Sequence, residues 1–159
     1  MTVAYVGIGS NLSEPARQVE AALGELGRIP GSRVAGRSSL YKSAPLGYAD
    51  QADFINAVAA LETALEPETL LDELLIIETR HGRRRSFANA PRSLDLDLLL
   101  FGQLELRTPR LTIPHPRMHE RAFVLRPLLE LSAEISIPGK GGARRLLENC
   151  QGQVVEKVA

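Results

Sequence analysis

The run LDLDLLLF at residues 94–101 decides the fold, because it is the last of four predicted strands. Alternate residues of a strand share one face, so Asp95 and Asp97 should project together, with Cα atoms roughly 6–7 Å apart. We expect this face to continue with Leu99 and Phe101 and therefore to be partly buried. Two carboxylates at that separation repel by about 2–3 kcal/mol at an effective dielectric of about 20. A buried pair therefore needs a compensating cation, and carboxylate oxygens suit Mg²⁺.

The segments on either side of this run complete the predicted order of elements. Apolar runs predict strands at 2–8, 34–41 and 54–61, and helical spacing predicts helices at 13–26, capped by Ser13, and at 66–82. The order strand, helix, strand, strand, helix, strand is that of a ferredoxin-like βαββαβ core. Beyond it we expect a proline-rich loop, a helix near 120–131 and a short helix near 144–149. We therefore predict an α+β fold in three layers, α-β-α, with a C-terminal extension of helices and loops.

Composition narrows the class of protein. The chain has 159 residues, of which 44 % are apolar and 24 % charged, so we expect a single domain over residues 1–159. No apolar run approaches the length of about eighteen residues that a membrane-spanning helix needs, and the first residues lack the basic flank of a secretion signal. We therefore expect a cytoplasmic protein without membrane contact. Separately, we expect a monomer, although nothing in the sequence determines the oligomeric state. The single cysteine, Cys150, is expected to be a small buried filler.

The positions of the charged residues, rather than the net charge, indicate a phosphate ligand. Net charge is zero, which disfavours binding to nucleic acid. The segment between Thr79 and Leu94 has no acidic residue but contains Arg80, Arg83, Arg84, Arg85 and Arg92. A basic loop that opens into an acidic strand suits a metal-bound polyphosphate, because the metal neutralises the carboxylates and arginines bind the remaining oxygens. A solvated run of charges, beside a strand with a polar outer face, is the alternative.

Other polar and aromatic residues have two interpretations each. Asn56 interrupts an apolar strand, where it makes either a structural hydrogen bond or a contact with the edge of a heterocycle. Glu78 is either an exposed charge at a helix end or a residue that meets substrate or orders an arginine. His115, between two prolines on a stiff loop, is either structural or a ligand contact. Phe54 and Phe123 either belong to the core or stack on a flat ligand.

Taken together, these segments resemble the 6-hydroxymethyl-7,8-dihydropterin pyrophosphokinases of folate synthesis. The resemblance extends along nearly the whole chain, through GSNL at 9–12, PLG at 45–47, FINA at 54–57, APRSLDLD at 90–97, PH at 114–115 and RAF at 121–123. The most specific segment is PRSLDLD. The resemblance implies a ferredoxin-like α+β fold and an enzyme in which the hydroxymethyl oxygen of the pterin attacks the β-phosphorus of ATP and AMP leaves.

The resemblance also implies roles for individual residues. It implies two Mg²⁺ ions held by Asp95 and Asp97, with ATP as co-substrate, and catalytic roles for these aspartates together with Arg83 and Arg92. Contacts with ATP are implied for Glu78, Arg83, Arg85, Arg92, Leu98, Arg110, Thr112, His115 and Arg121. The residues implied for the pterin site are Ser43, Pro45, Leu46, Phe54, Asn56 and Phe123. Loops at 44–53 and 82–92 are expected to close over the substrates.

Some positions depart from the pattern of the family. Asn89 and Ala90 stand where an aromatic residue and a glycine occur, which removes an aromatic lid, and Leu75 stands where a glutamine can occur near the nucleotide. Two other functions remain open at this point. One is a ferredoxin-like nucleic-acid-binding module, which the zero net charge and the acidic pair disfavour, and the other is a different Mg-nucleotide enzyme on the same scaffold.

Overall fold

A computed structural model describes residues 1–12, 14–44, 52–82 and 94–158. The strands are β1 Thr2–Ser10, β2 Ser32–Arg37, β3 Tyr41–Ser43, β4 Phe54–Thr63, β5 Asp95–Phe101, β6 Leu106–Arg107, β7 Thr112–Ile113, β8 Ser136–Ile137, β9 Gly141–Gly142 and β10 Val155–Lys157. The helices are α1 Pro15–Leu26, α2 Pro67–Arg80, α3 Ala122–Leu131 and α4 Ala143–Glu148, with a 3-10 turn at Met118–Glu120. Over these residues the protein is therefore a mixed α and β fold with four helices.

The main sheet is antiparallel and has β4 and β1 at its centre. Its strand order is β10-β3-β4-β1-β5, and β2 also pairs with β4. The middle of β4 is buried on both faces, in keeping with its almost continuous apolar sequence. The two remaining pairs, β6-β7 and β8-β9, form separate small ribbons.

Helices cover both faces of this sheet. Helices α1 and α2 bury their apolar residues, Val19 and Leu74 among them, against one face in what we call the α1/α2 cluster. Helix α3 buries Leu125 and Leu128 against the opposite face in the α3 cluster, to which α4 also contributes. Each face of the central strands is thus removed from water, which is the main favourable term in folding.

A register shift near the end of β5 changes which residues share a face. Tyr5 pairs with Leu100 and Val6 pairs with Leu98, so Leu99 is the additional residue of a bulge. Leu99 packs in the α3 cluster, whereas Phe101 packs in the α1/α2 cluster. The prediction that Phe101 shares the face of the acidic pair is therefore wrong, because a bulge inverts the alternation beyond it.

The second predicted strand, at 34–41, is in fact two strands. Between β2 and β3, the Ser38 Oγ accepts a hydrogen bond from the Val58 N–H, and the Ser38 N–H donates to the Val58 carbonyl, both at 2.9 Å. The side chain thus replaces one regular partner of β4 and interrupts the strand. In addition, β1 continues to Ser10, past its predicted end, and β10 was not predicted. Ser13, the predicted cap of α1, lies outside the described residues.

Within the described ranges, no helix has both the length and the apolar character needed to cross a bilayer.

Candidate active site

The acidic pair lies at the beginning of β5, on the sheet face that α3 covers. Asp95 and Asp97 are half-buried, and both make interactions with other groups of the protein. Leu96 and Leu98 are buried in the α1/α2 cluster on the other face. The alternation predicted from the sequence therefore holds over this part of the strand, and the two carboxylates project from one face.

Gly9 of β1 lies beside the acidic pair and leaves space above the sheet. Gly9 lies between Asp95 of β5 and Asn56 of β4 on one rung of the sheet. A Cβ on Gly9 would lie 3.2 Å from the Asn56 Oδ1 and 3.8 Å from the Phe54 Cδ1. Since neighbouring strands are about 4.8 Å apart, the Asp95 and Asn56 backbones are separated by roughly 10 Å. The missing side chain leaves a recess between a carboxylate and an amide.

The amide of Asn56 is held in place by β3. Its Nδ2 donates to the Ser43 Oγ at 2.7 Å, and both side chains are buried, with 4 % and 6 % of their residue surfaces exposed. The structural hydrogen bond expected of a buried amide is therefore present. It leaves the Asn56 Oδ1 directed toward the recess above Gly9.

His115 lies close to the acidic pair on the loop that follows β7. Its backbone N–H donates to the Leu99 carbonyl at 3.0 Å, which fixes the loop against β5. Its Nδ1 accepts a hydrogen bond from the Arg117 N–H at 3.2 Å. Burial first, and then the positive charge of Arg121, lower the pKa of His115 to about 4, although the Asp95 carboxylate opposes the shift. The ring is therefore neutral near pH 7, with its proton on Nε2.

Arg121 and Phe123 lie together at the N-terminus of α3. The Arg121 Cζ is 5.5 Å from the centroid of the Phe123 ring, a cation–π distance. Phe123 is half-buried against the α3 cluster. Because the charge of Arg121 also acts on His115, and Asp95 acts on the same ring, these four side chains form one neighbourhood.

Glu78, near the end of α2, is almost completely buried. Only 1 % of its surface is exposed, so its interpretation as an exposed helix-end charge is wrong. Its Oε2 accepts a hydrogen bond from the Leu96 N–H at 2.7 Å, between the two aspartates, and it makes further interactions. Glu78 therefore fixes the backbone that carries Asp95 and Asp97, and its contact with ATP stays a prediction.

The other implied ATP contacts lie around α2 and β7. The Arg110 guanidinium pairs with Asp72 at 2.5 Å and with Glu68 at 3.9 Å, which places it against α2. Thr112 begins β7 and is half-buried, and Leu98 is buried on the sheet face opposite the acidic pair. Their roles stay predictions. Arg83, Arg85, Arg92, Pro45 and Leu46 lie outside the described residues, as do most of the loops expected to close.

The donor set of the site fits a substrate-bound magnesium better than a metal held by protein alone. Over residues 1–12, 14–44, 52–82 and 94–158, no group of three or more His, Cys, Asp or Glu side chains could hold a metal ion. Mg²⁺ commonly takes one or two carboxylates and completes its shell with water and substrate phosphates. Asp95 and Asp97, half-buried on one face, provide that partial set.

Sequence reasoning missed the role of Gly9, which it took as part of the end of a strand. Gly7 and Gly9 alternate in β1, and they lie opposite Asp97 and Asp95 respectively. A glycine inside a strand often marks a place where a ligand or another chain segment approaches closely. That signal was present in the sequence, but its meaning depends on which strands pair with β1.

Comparison with known proteins gives the family of this chain. The family profile described as 7,8-dihydro-6-hydroxymethylpterin-pyrophosphokinase (HPPK) matches residues 5–133. This chain belongs to the HPPK family. The 2-amino-4-hydroxy-6-hydroxymethyldihydropteridine pyrophosphokinase of Pseudomonas aeruginosa is 47 % identical over 154 residues, which cover 97 % of this HPPK-family chain and 95 % of the relative.

Further relatives agree with this assignment. A protein of the same name from Haemophilus influenzae is 46 % identical over 138 residues, covering 87 % of this chain and 86 % of the relative. A crystal structure of an HPPK-DHPS in complex with substrates superposes with a TM-score of 0.75 at 12 % identity, over 93 % of this chain and 43 % of that longer chain. At that identity the structural likeness shows the fold alone.

Proposed function

We propose that this HPPK-family protein transfers diphosphate from ATP to the hydroxymethyl group of 6-hydroxymethyl-7,8-dihydropterin, releasing AMP, in folate biosynthesis. The observation that carries the proposal is the rung formed by Asp95, Gly9 and Asn56. A carboxylate that could hold a metal ion and an amide suited to a heterocycle thus lie on one sheet face, with their backbones roughly 10 Å apart. A flat pterin beside Asn56 would therefore direct its hydroxymethyl group toward phosphates held near Asp95.

Asp95 and Asp97 are the residues that would hold magnesium, and we infer two ions. When bound, Mg²⁺ neutralises charge on the transferred diphosphate and makes the attacking hydroxyl more acidic. The two carboxylates need no large movement for this role, because β5 already projects them from one face. Glu78 supports them by accepting the hydrogen bond of the intervening Leu96 N–H.

On the pterin side, Asn56 reads the edge of the ring and aromatic residues cover its faces. The Asn56 Oδ1 can accept hydrogen bonds from ring N–H groups, while its Nδ2 stays with Ser43. Phe54 lies beside the recess at Gly9, and the Phe123 ring lies beside the Arg121 guanidinium. Stacking on such rings suits a planar ligand. Pro45 and Leu46 are predicted to contribute to the pterin site as well.

On the phosphate side, one neutral hydrogen-bond donor and several arginines would bind the phosphate oxygens of ATP. His115 offers its Nε2–H without adding charge, and Arg121 adds a guanidinium at the N-terminus of α3, an end of a helix that favours anions. The predicted contacts of Arg83, Arg85 and Arg92 would surround the rest of the triphosphate. The hydroxymethyl oxygen then forms a bond to the β-phosphorus. The bond from that phosphorus to the oxygen of the α-phosphate breaks, AMP leaves with this oxygen, and the hydroxyl proton passes to solvent.

We also infer the finer architecture and state of the protein. The order β3-β4-β1-β5, with α1 and α2 on one face, supports a ferredoxin-like βαββαβ core within a three-layer α-β-α domain spanning residues 1–159. We infer that the protein acts on small molecules as a cytoplasmic monomer. Light scattering on the purified chain tests the monomer directly.

Nucleotide analysis tests the reaction. With ATP, Mg²⁺ and the hydroxymethyl-dihydropterin, the protein should form AMP only when the pterin is present, and formation of ADP would contradict diphosphate transfer. Asp97→Asn keeps the size of the side chain and removes its charge, so turnover should fall about a hundredfold or more, equivalent to about 2.7 kcal/mol. The exposed Glu134→Gln should behave as the parent protein. Near-normal turnover of folded Asp97→Asn would exclude the metal role.

A further inference from the structure

A glutamine near the C-terminus holds the backbone on both sides of Arg121. Gln153 lies in the turn between α4 and β10. Its Oε1 accepts a hydrogen bond from the Ala122 N–H at 2.9 Å, and its Nε2 donates to the Glu120 carbonyl at 2.8 Å. One amide side chain thus brackets Arg121 from a position more than thirty residues away in sequence.

The first of these hydrogen bonds supplies a cap that the N-cap side chain of α3 does not provide. The first N–H groups of a helix have no partner within the helix, and a side chain at the N-cap position commonly provides one. Here the N-cap residue is Arg121, whose side chain makes no capping hydrogen bond. Gln153 takes the Ala122 N–H instead. The guanidinium of Arg121 has only donors and could not make this bond, so Gln153 fixes the helix turn that carries Phe123.

The residues after Gln153 pair with strand β3, which supports Asn56 on the pterin side of the site. Val155 begins β10 and pairs with Ser43 of β3, whose hydroxyl accepts the hydrogen bond of Asn56. The Arg126 guanidinium of α3 donates to the Val155 carbonyl at 2.5 Å, which ties the same strand to α3. A short segment thus connects the turn of α3 that carries Phe123 to the strand that orients Asn56.

We propose that residues 153–157 position the substrate site. Within this segment, Gln153 is the residue that holds the N-terminal turn of α3 in place. The inference rests on the proposed function, since the positioned residues are those that would meet pterin and phosphate. The segment lies beyond residues 5–133, the part of the chain that the HPPK profile matches.

Three variants test this role. Gln153→Met keeps the length of the side chain but removes both hydrogen bonds. Gln153→Glu can still accept from the Ala122 N–H, next to a helix N-terminus that favours negative charge, but it cannot donate to Glu120. Gln151→Met makes the same chemical change two residues earlier, at an exposed position. For each variant the measurements are the KM for hydroxymethyl-dihydropterin, kcat and the thermal midpoint.

We expect Gln153→Met to raise the pterin KM at least threefold. Gln153→Glu should fall between Gln153→Met and the parent, and Gln151→Met should match the parent. A KM change below threefold overturns the proposal, even if the thermal midpoint falls, because that pattern marks a purely structural residue. Equal KM values for the Met and Glu variants at 153 also overturn it. Failure of the proposed function is recognised separately, since the parent protein would then form no pterin-dependent AMP, and the positioning role would fail with it.

Discussion

Replacing Glu78 by leucine should destabilise the protein at the strand that carries the acidic pair. Glu78 is 1 % exposed and accepts the Leu96 N–H at 2.7 Å. Removing the acceptor leaves a buried N–H without a partner, which costs about 1–3 kcal/mol. Because Leu96 lies on β5, the last strand in the order of the main sheet, no strand of the described residues lies beyond it to take over its N–H. We expect a loss of about 2–3 kcal/mol in the free energy of unfolding.

Urea denaturation followed by circular dichroism measures this loss. For a chain of this size each kcal/mol lowers the melting temperature by about 2–4 °C, so Glu78→Leu should melt about 4–12 °C below the parent. Glu78→Gln keeps an acceptor oxygen for the Leu96 N–H, so its loss should be about half as large. The matched control is Glu73→Gln on the same helix, at a partly exposed position. If Glu78→Leu unfolds within about 0.5 kcal/mol of the parent, the assigned hydrogen bond does not hold β5.

Three further predictions concern Gly9 in the recess, Gly24 in helix α1 and Tyr41 in strand β3. A Cβ in Gly9→Ala would stand 3.2 Å from the Asn56 Oδ1, so the pterin KM should rise about tenfold, equivalent to about 1.4 kcal/mol. Gly24→Ala, where a Cβ meets nothing within 4 Å, should instead raise stability by about 0.5–1 kcal/mol. Burial, and then the hydrogen bond to Glu130, raise the pKa of Tyr41 to about 12. This tyrosine thus stabilises the fold below its ordinary pKa of 10, and the contribution is lost as pH rises from 10 to 12. Ultraviolet titration should show a late-ionising tyrosine that disappears in Tyr41→Phe, and an unchanged curve would contradict the assignment.

Much of the architecture could be predicted from the sequence because it depends on local patterns. The alternation at 94–98 and the apolar stripes of α1 and α2 reflect the period of each element, and they hold in the structure. The interruption at Ser38 and the bulge at Leu99 could not be predicted in the same way. Each depends on a partner strand that is distant in sequence, β4 in one case and β1 in the other.

The same distinction applies to the candidate site. Asn56 and the acidic pair were found because polar residues inside apolar strands are conspicuous. Gly9 was missed because its importance comes from the side chains on the two neighbouring strands. Gln153 was missed because a glutamine in a polar turn carries no local signal, and only the fold brings it to the N-terminus of α3.

The position of β10 at the margin of the main sheet has a consequence for shortened forms of the protein. Its pairing satisfies main-chain groups along Tyr41–Ser43, which would otherwise be left exposed. An unpaired edge strand readily forms hydrogen bonds with strands of other molecules. Glu156 and Lys157 carry exposed charges that discourage such pairing. Proteolytic cleavage before Val155 would remove β10 and leave β3 as an unpaired edge strand. The cleaved chain should therefore aggregate more readily than the intact one.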